Sequence, residues 1–265
     1  MVKNSFKNKV IKADCLSHLK KLPDKTFDHC ITDPPYNISD YDSKKEIGWY
    51  KSNRTWRDNK KFIKINENWD VFGDKEYFEF CRDWVSEVCR VTKENGNVVL
   101  FGTYHNIYKL GFIVESLNLR IINSIIWYKR NAFPNITQRM FCESTEQMIW
   151  FVNNNKKKAK NWIFNYKAMK KLTENKKQMR NMWDIPMTPK KEKMIGKHPA
   201  QKPLEVLNRL ILGCTKKKDI ILDPFSGSGT TAVSAKINNR YYYAIENNNK
   251  YFNITKKRLK FANQS

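Results

Sequence analysis

The chain contains no apolar run approaching the length of a membrane span, and no apolar stretch follows the start Met1-Val2-Lys3-Asn4-Ser5. The expectation is a soluble, cytoplasmic protein with no membrane partner and no leader. Cysteine pairing is absent in the same sense: the six cysteines at 15, 30, 81, 89, 142 and 214 include no CxxC and show no regular spacing. That sets aside a disulfide framework, and reduced, mostly buried thiols are expected. Cys15 with His18, or His29 with Cys30, lacks the ligand spacing of zinc, so no metal is expected. No internal repeat is evident, which removes solenoids and arrays from consideration.

Acidic residues are scarce. There are 26 Asp and Glu against 50 Lys and Arg, a formal charge of +24. Such an excess suits a polyanionic partner and works against self-association of the bare protein. It is unevenly spread: residues 153–197 hold 14 Lys and Arg against 3 Asp and Glu, a net +11, together with Trp162, Phe164, Tyr166 and Trp183. Basic residues interleaved with aromatics fit a surface that neutralises phosphates and packs on sugars or bases. The candidates for such contacts are Lys156, Lys157, Lys158, Lys160, Lys170, Lys171, Lys176, Lys177 and Arg180. Taken alone, the triplet Lys156–Lys158 reads equally well as a solvated charge run.

With 265 residues, 40% of them hydrophobic, the chain has material for one large α/β domain and a small lobe. Val10–Asp14 reads as a strand, followed by a short helix carrying Leu16, Leu19 and Leu22; Phe27–Thr32 is the next strand. A polar stretch over 37–68, with Tyr41, Trp49, Tyr50 and Trp56, shows no periodicity and reads as a functional loop. Tyr77, Cys81, Trp84, Val88 and Val91 recur every three or four residues, which predicts a helix over Glu76–Val91. Strands are expected at Asn97–Phe101, Arg120–Lys129, Glu146–Val152, Asp219–Asp223 and Tyr241–Glu246, and helices near 105–118, 203–215, 230–237 and 250–261. Alternating strands and helices predict a parallel, doubly wound sheet.

Two motifs carry chemistry. The first, Asp33-Pro34-Pro35-Tyr36, ends the strand over Phe27–Thr32. The Asp33 carboxylate is able to accept one N–H of an exocyclic amine. The prolines lack backbone N–H groups and have fixed φ, so their carbonyls are held rigid, and Tyr36 offers a flat face to a base. In isolation the same four residues would be read as a rigid turn after a strand. The second is Asp223-Pro224-Phe225-Ser226-Gly227-Ser228-Gly229-Thr230-Thr231, where an apolar strand turns into a helix; Glu246 follows Gly227 by 19 residues, at the end of the next strand. Glycines permit a tight turn and close approach to a ligand, and the carboxylate is placed to accept both hydroxyls of a ribose. A dinucleotide would satisfy the same pattern, so an NAD-dependent enzyme competes. Against it, no downstream domain follows for a redox substrate, and hydride transfer requires neither Asp33–Tyr36 nor a basic segment.

With both motifs placed, the sequence resembles the β group of amino-methylating (N6-adenine/N4-cytosine) DNA methyltransferases. Supporting residues run through nearly the whole chain: Ala13–Leu16, Thr32–Asn37, His105–Tyr108, Ile126–Lys129, His198–Pro203 and Asp223–Thr231. The resemblance implies a circularly permuted, Rossmann-like methyltransferase sheet with the two motif-bearing strands adjacent and S-adenosylmethionine across their C-terminal ends. It implies a catalytic half over 1–152, a target-recognition segment over 153–197 and a cofactor-binding half over 198–265. Asp33, Pro34, Pro35 and Tyr36 become catalytic by this resemblance. Asp223 is cofactor-binding, Phe225, Gly227, Gly229 and Thr230 line the cofactor's methionine side, Glu246 takes the ribose, Asp14 lies near the adenine and Lys202 near the carboxylate. Family members usually have Thr where this chain has Ala200, so a contact made by that hydroxyl is missing here.

The implied reaction is methylation of adenine N6 on a base flipped from double-stranded DNA, with Tyr36 stacking on it and the loop after Asn37 closing over it. Cytosine N4 is the alternative substrate, and Asp rather than Ser at position 33 favours adenine. Single-stranded DNA or RNA is admitted, because flipping is easier there. A cysteine nucleophile has no support, since no Pro-Cys dipeptide occurs. A non-enzymatic nucleic-acid binder would need the charge without both motifs and ranks last. A homodimer and a separately encoded restriction endonuclease are partners the resemblance allows.

Overall fold

The computed structural model describes residues 5–38, 72–135, 138–173, 176–196 and 198–262. Most of the polar stretch expected as a closing loop, with Tyr41, Trp49, Tyr50 and Trp56, lies outside the described residues, as does Lys197.

In chain order the elements are β1 (Lys9–Lys12), α1 (Cys15–Leu19), β2 (His29–Thr32), α2 (Asp74–Val91), β3 (Asn97–Gly102), α3 (Ile107–Ser116), β4 (Leu119–Tyr128), β5 (Thr145–Asn155), α4 (Tyr166–Lys171), β6 (Met182–Asp184), α5 (Leu204–Cys214), β7 (Ile220–Asp223), α6 (Thr230–Ile237), β8 (Tyr241–Glu246) and α7 (Asn249–Phe261). No described helix is long and apolar enough to cross a membrane.

β2, β3 and β7 are buried along their whole length, as strands covered on both faces must be. Side chains alternate between the two covers. Cys30, Val98, Leu100, Ile220, Leu222, Tyr243 and Ile245 pack with Leu19 of α1 and with the predicted α2 stripe of Tyr77, Cys81, Trp84, Val88 and Val91. Ile31, Val99, Phe101 and Ile221 turn the other way, onto Leu207, Leu210 and Ile211 of α5. The result is a three-layer α/β/α sandwich.

The strand order is β1-β8-β7-β2-β3-β5-β4-β6. From β7 the chain moves outward through α6 to β8; from β2 it moves the opposite way through α2 to β3. The order therefore reverses between β7 and β2, which are paired in parallel (His29 with Ile221, Cys30 with Leu222). In open α/β sheets that crevice, at the carboxyl ends of the strands, is where ligands bind.

The sheet departs from the all-parallel expectation in one strand. β5 runs antiparallel to both β3 and β4, with Asn97 opposite Val152 and Gly102 opposite Gln147. Its reversal follows from its connection: β4 and β5 are joined as a hairpin, whereas a parallel return would need a crossover helix. The basic segment also differs from a separate lobe. Its first residues finish β5, it supplies α4 and β6, and Met169, Trp183 and Ile185 are buried in the core. Hydrophobic spacing could not announce β6, since three residues are too few to show a period.

Candidate active site

Asp33 follows β2 and Asp223 closes β7, so the pairing of these two strands brings the two motifs together. The Thr32 hydroxyl donates to Asp223 Oδ1 at 2.7 Å, tying the strand ends. Both motifs open into one cavity of ≈ 690 Å³, lined among others by Asp14, Asp33–Tyr36, Phe80, Gln201, Lys202, Phe225–Ser228 and Glu246.

The glycine turn is shaped by left-handed backbone and close packing. Gly227 has φ +54 and Gly229 φ +78, and a Cβ on Gly229 would come within 2.5 Å of Thr255. An L side chain would thus be strained in conformation and clash with α7. Arg258 of α7 is buried and donates from Nη1 to the Ser228 carbonyl (2.7 Å) and to the Thr230 hydroxyl (2.9 Å). Burial lowers its pKa to about 10, still leaving it charged at neutral pH. Thr230, expected on the cofactor, lines the cavity but spends an acceptor position on this clamp. Glu246 receives the Gly227 N–H and the Asn248 N–H, both at 2.7 Å, and its carboxylate keeps acceptor capacity beyond these. Asp14 is the N-cap of α1, accepting from the Ser17 N–H at 2.9 Å, and also lines the cavity. Asp223 takes the Phe225 N–H at 3.2 Å besides Thr32, and burial pushes its pKa up to about 7. Phe225 packs edge-on to Trp84, 5.2 Å between ring centres, and presents an apolar wall.

At the other motif, the Pro35 carbonyl is occupied by the Tyr77 hydroxyl at 2.6 Å, whereas no described residue hydrogen-bonds the Pro34 carbonyl. Asn37, in the left-handed region at φ +56, accepts the Phe72 N–H at 2.8 Å and so joins the two described ends of the polar stretch. Asp33 is not alone. Tyr36 donates to its Oδ1 at 2.5 Å, Lys202 Nζ donates to its Oδ2 at 2.5 Å, and Glu146 of β5 lies within 3.3 Å of the same ammonium. Burial raises the Asp33 pKa; Lys202 pulls it down and Glu146 pushes it up, leaving it above the ordinary value. Burial would discharge Lys202, but Asp33 and Glu146 outweigh it and keep its pKa raised. Lys202 was expected at the cofactor's carboxylate; its ammonium instead sits between the two protein carboxylates, in the cavity wall. The Tyr36 phenol is pushed well up by burial and by the same two carboxylates, so it serves as a donor.

His198, for which the sequence suggested packing, lies edge-on to Tyr251 and against Gly227. Burial, Lys202, Arg258 and Lys250 lower its pKa to about 3, so the ring is neutral. Sequence reasoning missed three contributors: Glu146, Arg258 and Gln201. Only Gln201 carried a signal, since it stands inside the His198–Pro203 stretch.

The structure separates six of the nine predicted nucleic-acid contacts from this cavity. Because β5 runs backwards, it ends at the edge where β3 begins. Lys156 N–H bonds the Asn118 carbonyl just before β4, and Lys160 N–H bonds Asn95 Oδ1 just before β3. Lys156, Lys157, Lys158 and Lys160 thus lie at the edge opposite the cavity. Lys170 and Lys171 share it, since α4 packs its Met169 on Gly213 at the end of α5. Lys176, Lys177 and Arg180 lie on the stretch leading from α4 to β6. On the cavity edge the exposed side chains include Arg130, Phe133, Arg139, Met140 and Phe141 of the β4–β5 loop, and Lys190 and Lys191 after β6.

With this geometry in hand, comparison with known proteins is informative. The Type II methyltransferase M.HinfI of Haemophilus influenzae is 37% identical over 263 residues, covering 97% of this chain and 69% of that protein. M2.DpnII of Streptococcus pneumoniae, also a Type II methyltransferase, is 38% identical over 263 residues, covering 98% and 92%. Among solved structures, the M1.HpyAVI–SAM complex superposes with a TM-score of 0.68 at 27% identity, covering 96% of this chain and 99% of that one. Residues 27–257 match the family described as DNA methylase, and they span both motifs and the sheet between them; the chain belongs to that family and is a DNA methyltransferase.

Proposed function

We propose that the protein transfers a methyl group from S-adenosylmethionine to the N6 amine of an adenine flipped out of double-stranded DNA. The observation that carries this reading is the meeting of Asp33 and the Gly227 turn in one cavity, on the two strands where the sheet order reverses.

The cavity suits that cofactor on its own chemistry. Two buried polar atoms in its wall, Gln201 Oε1 and Ser226 Oγ, have no partner among the described residues. Buried polar atoms left in this state call for a polar ligand. Gln201 Oε1 is an acceptor for an ammonium, Glu246 for ribose hydroxyls, and Phe80 and Phe225 are apolar faces for a purine. When bound, the cofactor supplies an electrophilic methyl on a sulfonium.

The residues of the chain do the rest. Adenine N6 is a poor nucleophile because its lone pair is conjugated with the ring. Asp33 and the Pro34 carbonyl accept one N–H each, drawing the nitrogen toward tetrahedral geometry and freeing the lone pair. The enzyme's share is orientation and charge stabilisation rather than strong base chemistry. A base inside a duplex has no access to such a site, so it is extruded and lies against Tyr36.

DNA approaches the cavity edge, with Arg130, Arg139, Lys190 and Lys191 toward phosphates and Phe133 and Phe141 toward bases or sugars. The earlier candidates from Lys156 to Lys171 hold a secondary place in this reading. A homodimeric working form and a separately encoded restriction endonuclease, whose cleavage the methyl mark would block, belong to the same reading, as does action in the cytoplasm.

The test is nucleoside analysis of DNA from cells expressing the protein, beside cells expressing Asp33→Ala. N6-methyladenine at a defined sequence, present only with the wild type, is expected. N4-methylcytosine alone would move the substrate to cytosine, and no methylated base would overturn the proposal.

A further inference from the structure

We propose that Glu146 is a positioning residue of the methyl-transfer centre: by sharing Lys202 and the Tyr36 hydroxyl with Asp33, it keeps the Asp33 carboxylate able to receive the amine. This rests on the amino-methylating reading above. Glu146 reaches the site only because β5 is reversed. Its pairing with Trp127 puts it near the end of β4, on the edge where Asp33 leaves β2.

The four side chains form a closed ring of alternating acceptors and donors. Asp33 accepts from Tyr36 and Lys202 at 2.5 Å each; Glu146 stands 3.2 Å from the Tyr36 hydroxyl and 3.3 Å from the Lys202 ammonium. Lys129 approaches Glu146 from β4's end at 3.5 Å, and Asp223 on β7 lies on the Asp33 side, where the Asp33 charge helps to raise its pKa. Glu146 is only 13% exposed, so water screens these interactions weakly.

Without Glu146, Asp33 and Lys202 would form a simple neutral ion pair. A carboxylate whose charge is matched by one ammonium, and which also accepts from Tyr36, is a weaker acceptor for an amine, although each oxygen keeps a second position. With Glu146 present both donors have a second seat, so either shifts toward Glu146 as the amine N–H takes its place on Asp33. Two carboxylates against one ammonium also leave the ring itself with one net negative charge, which Lys129 beside Glu146 offsets in part. In the reaction an N–C bond forms as an S–C bond breaks, its electron pair remaining on sulfur. Positive charge thereby moves to the amine nitrogen, and one N–H proton then leaves for the Asp33 carboxylate. A net negative ring favours that arrival of charge.

The experiment uses full-length Glu146→Gln, which keeps the shape and an acceptor oxygen but removes the charge. Melting temperature, S-adenosylmethionine binding by calorimetry and single-turnover methylation are measured across pH, on DNA that the wild type methylates. The expected result is a melting temperature within a few degrees, binding within threefold, and a methylation rate at least tenfold lower. The acid limb of the rate profile should move to lower pH, because Glu146 raises the Asp33 pKa. A wild-type rate, or an unmoved limb, would overturn the proposal. Should Glu146→Gln fail to fold, Lys129→Met removes the cation that donates to Glu146 and leaves the four ring side chains in place. It should move the limb to higher pH, and an unmoved limb there also counts against the idea. A wild type that methylates no amine would sink the underlying reading instead.

Discussion

The two edges of the sheet treat their polar groups in opposite ways. At the edge where the parallel strands begin, most hydrogen-bonding groups close on one another, although the buried Thr92 hydroxyl has no partner among the described residues. His29 accepts the Asn97 N–H at 2.9 Å and faces Asp219 at 3.0 Å. Asn97 donates to the Cys214 and Ile163 carbonyls and accepts from Trp150 Nε1, all within 2.9 Å. Arg240 bonds Thr215 twice, and Asn153 Nδ2 bonds the Thr92 carbonyl at 2.7 Å. At the edge where those strands end, Gln201 Oε1 and Ser226 Oγ have no partner among the described residues, and Asp33 and Asp223 hold raised pKa values. One edge is spent on stability and the other is kept open for ligands, as a stability–activity trade-off requires.

Paired substitutions break that comparison most directly. Asp33→Ala should lower single-turnover methylation by about 10²–10³-fold or more, the usual loss when a positioned transition-state partner is removed. Cofactor binding should stay within a few-fold and stability near wild type. Asn97→Ala should do the reverse. It orphans three groups at about 1–3 kcal/mol each, so urea unfolding should report a loss of at least about 3 kcal/mol, while the rate at low temperature holds. Similar losses of rate and stability in both variants would erase the division between the edges.

A smaller effect sharpens the same contrast through pH. Asp223 has its pKa raised by burial to about 7, well above the ordinary carboxylate value. A raised carboxyl pKa means the native state holds a proton that the unfolded chain has lost. The stabilisation is full below the unfolded value and is lost as pH rises toward 7, at about 1.4 kcal/mol per pH unit. Asp223→Asn keeps an Oδ1 able to accept from Thr32 and Phe225, without the charge. It should therefore gain stability over the wild type as pH rises from about 4 to 7, and hold a constant lead above. Chemical unfolding at several pH values checks this. A lead that does not grow with pH would mean that Asp223 is ionised in the native protein at little cost. His198 acts with the opposite sign. Its pKa is lowered to about 3, so acidification from about 6.5 favours the unfolded chain, and the wild type alone shows only the balance of the two groups.

How much of this was legible beforehand depends on the range of the interaction involved. The α2 stripe, the strand ending at Asp33, and the turn from Gly227 to the carboxylate of Glu246 rest on spacing within a few turns of chain, and the structure has them where the sequence puts them. The adjacency of β2 and β7 followed from family resemblance, not from local pattern. The direction of β5 was not legible, because an apolar strand reads alike in either direction. That single unknown decided two further points. It put Glu146 beside Asp33, though a lone acid at the start of an apolar run carries no mark of its role. It also put Lys156–Lys160 on the closed edge.

The smallest expected effect tests that last placement, and it bears on where DNA lies. Each phosphate contact that releases a counterion contributes about one unit to the slope of log K against log salt. Replacing Arg130, Arg139 and Lys190 with Gln should flatten the slope by about 2–3 units if that edge carries the phosphates. The same treatment of Lys156, Lys157 and Lys158 should leave it within about half a unit, because a duplex seated at Asp33 meets the other end of the strands. Both triplets remove three charges, so the general loss of attraction from a chain of +24 cancels between them and only position remains. If the lysine triplet flattens the slope instead, the duplex wraps from the cavity to the closed edge, and composition located the contacts better than strand direction did.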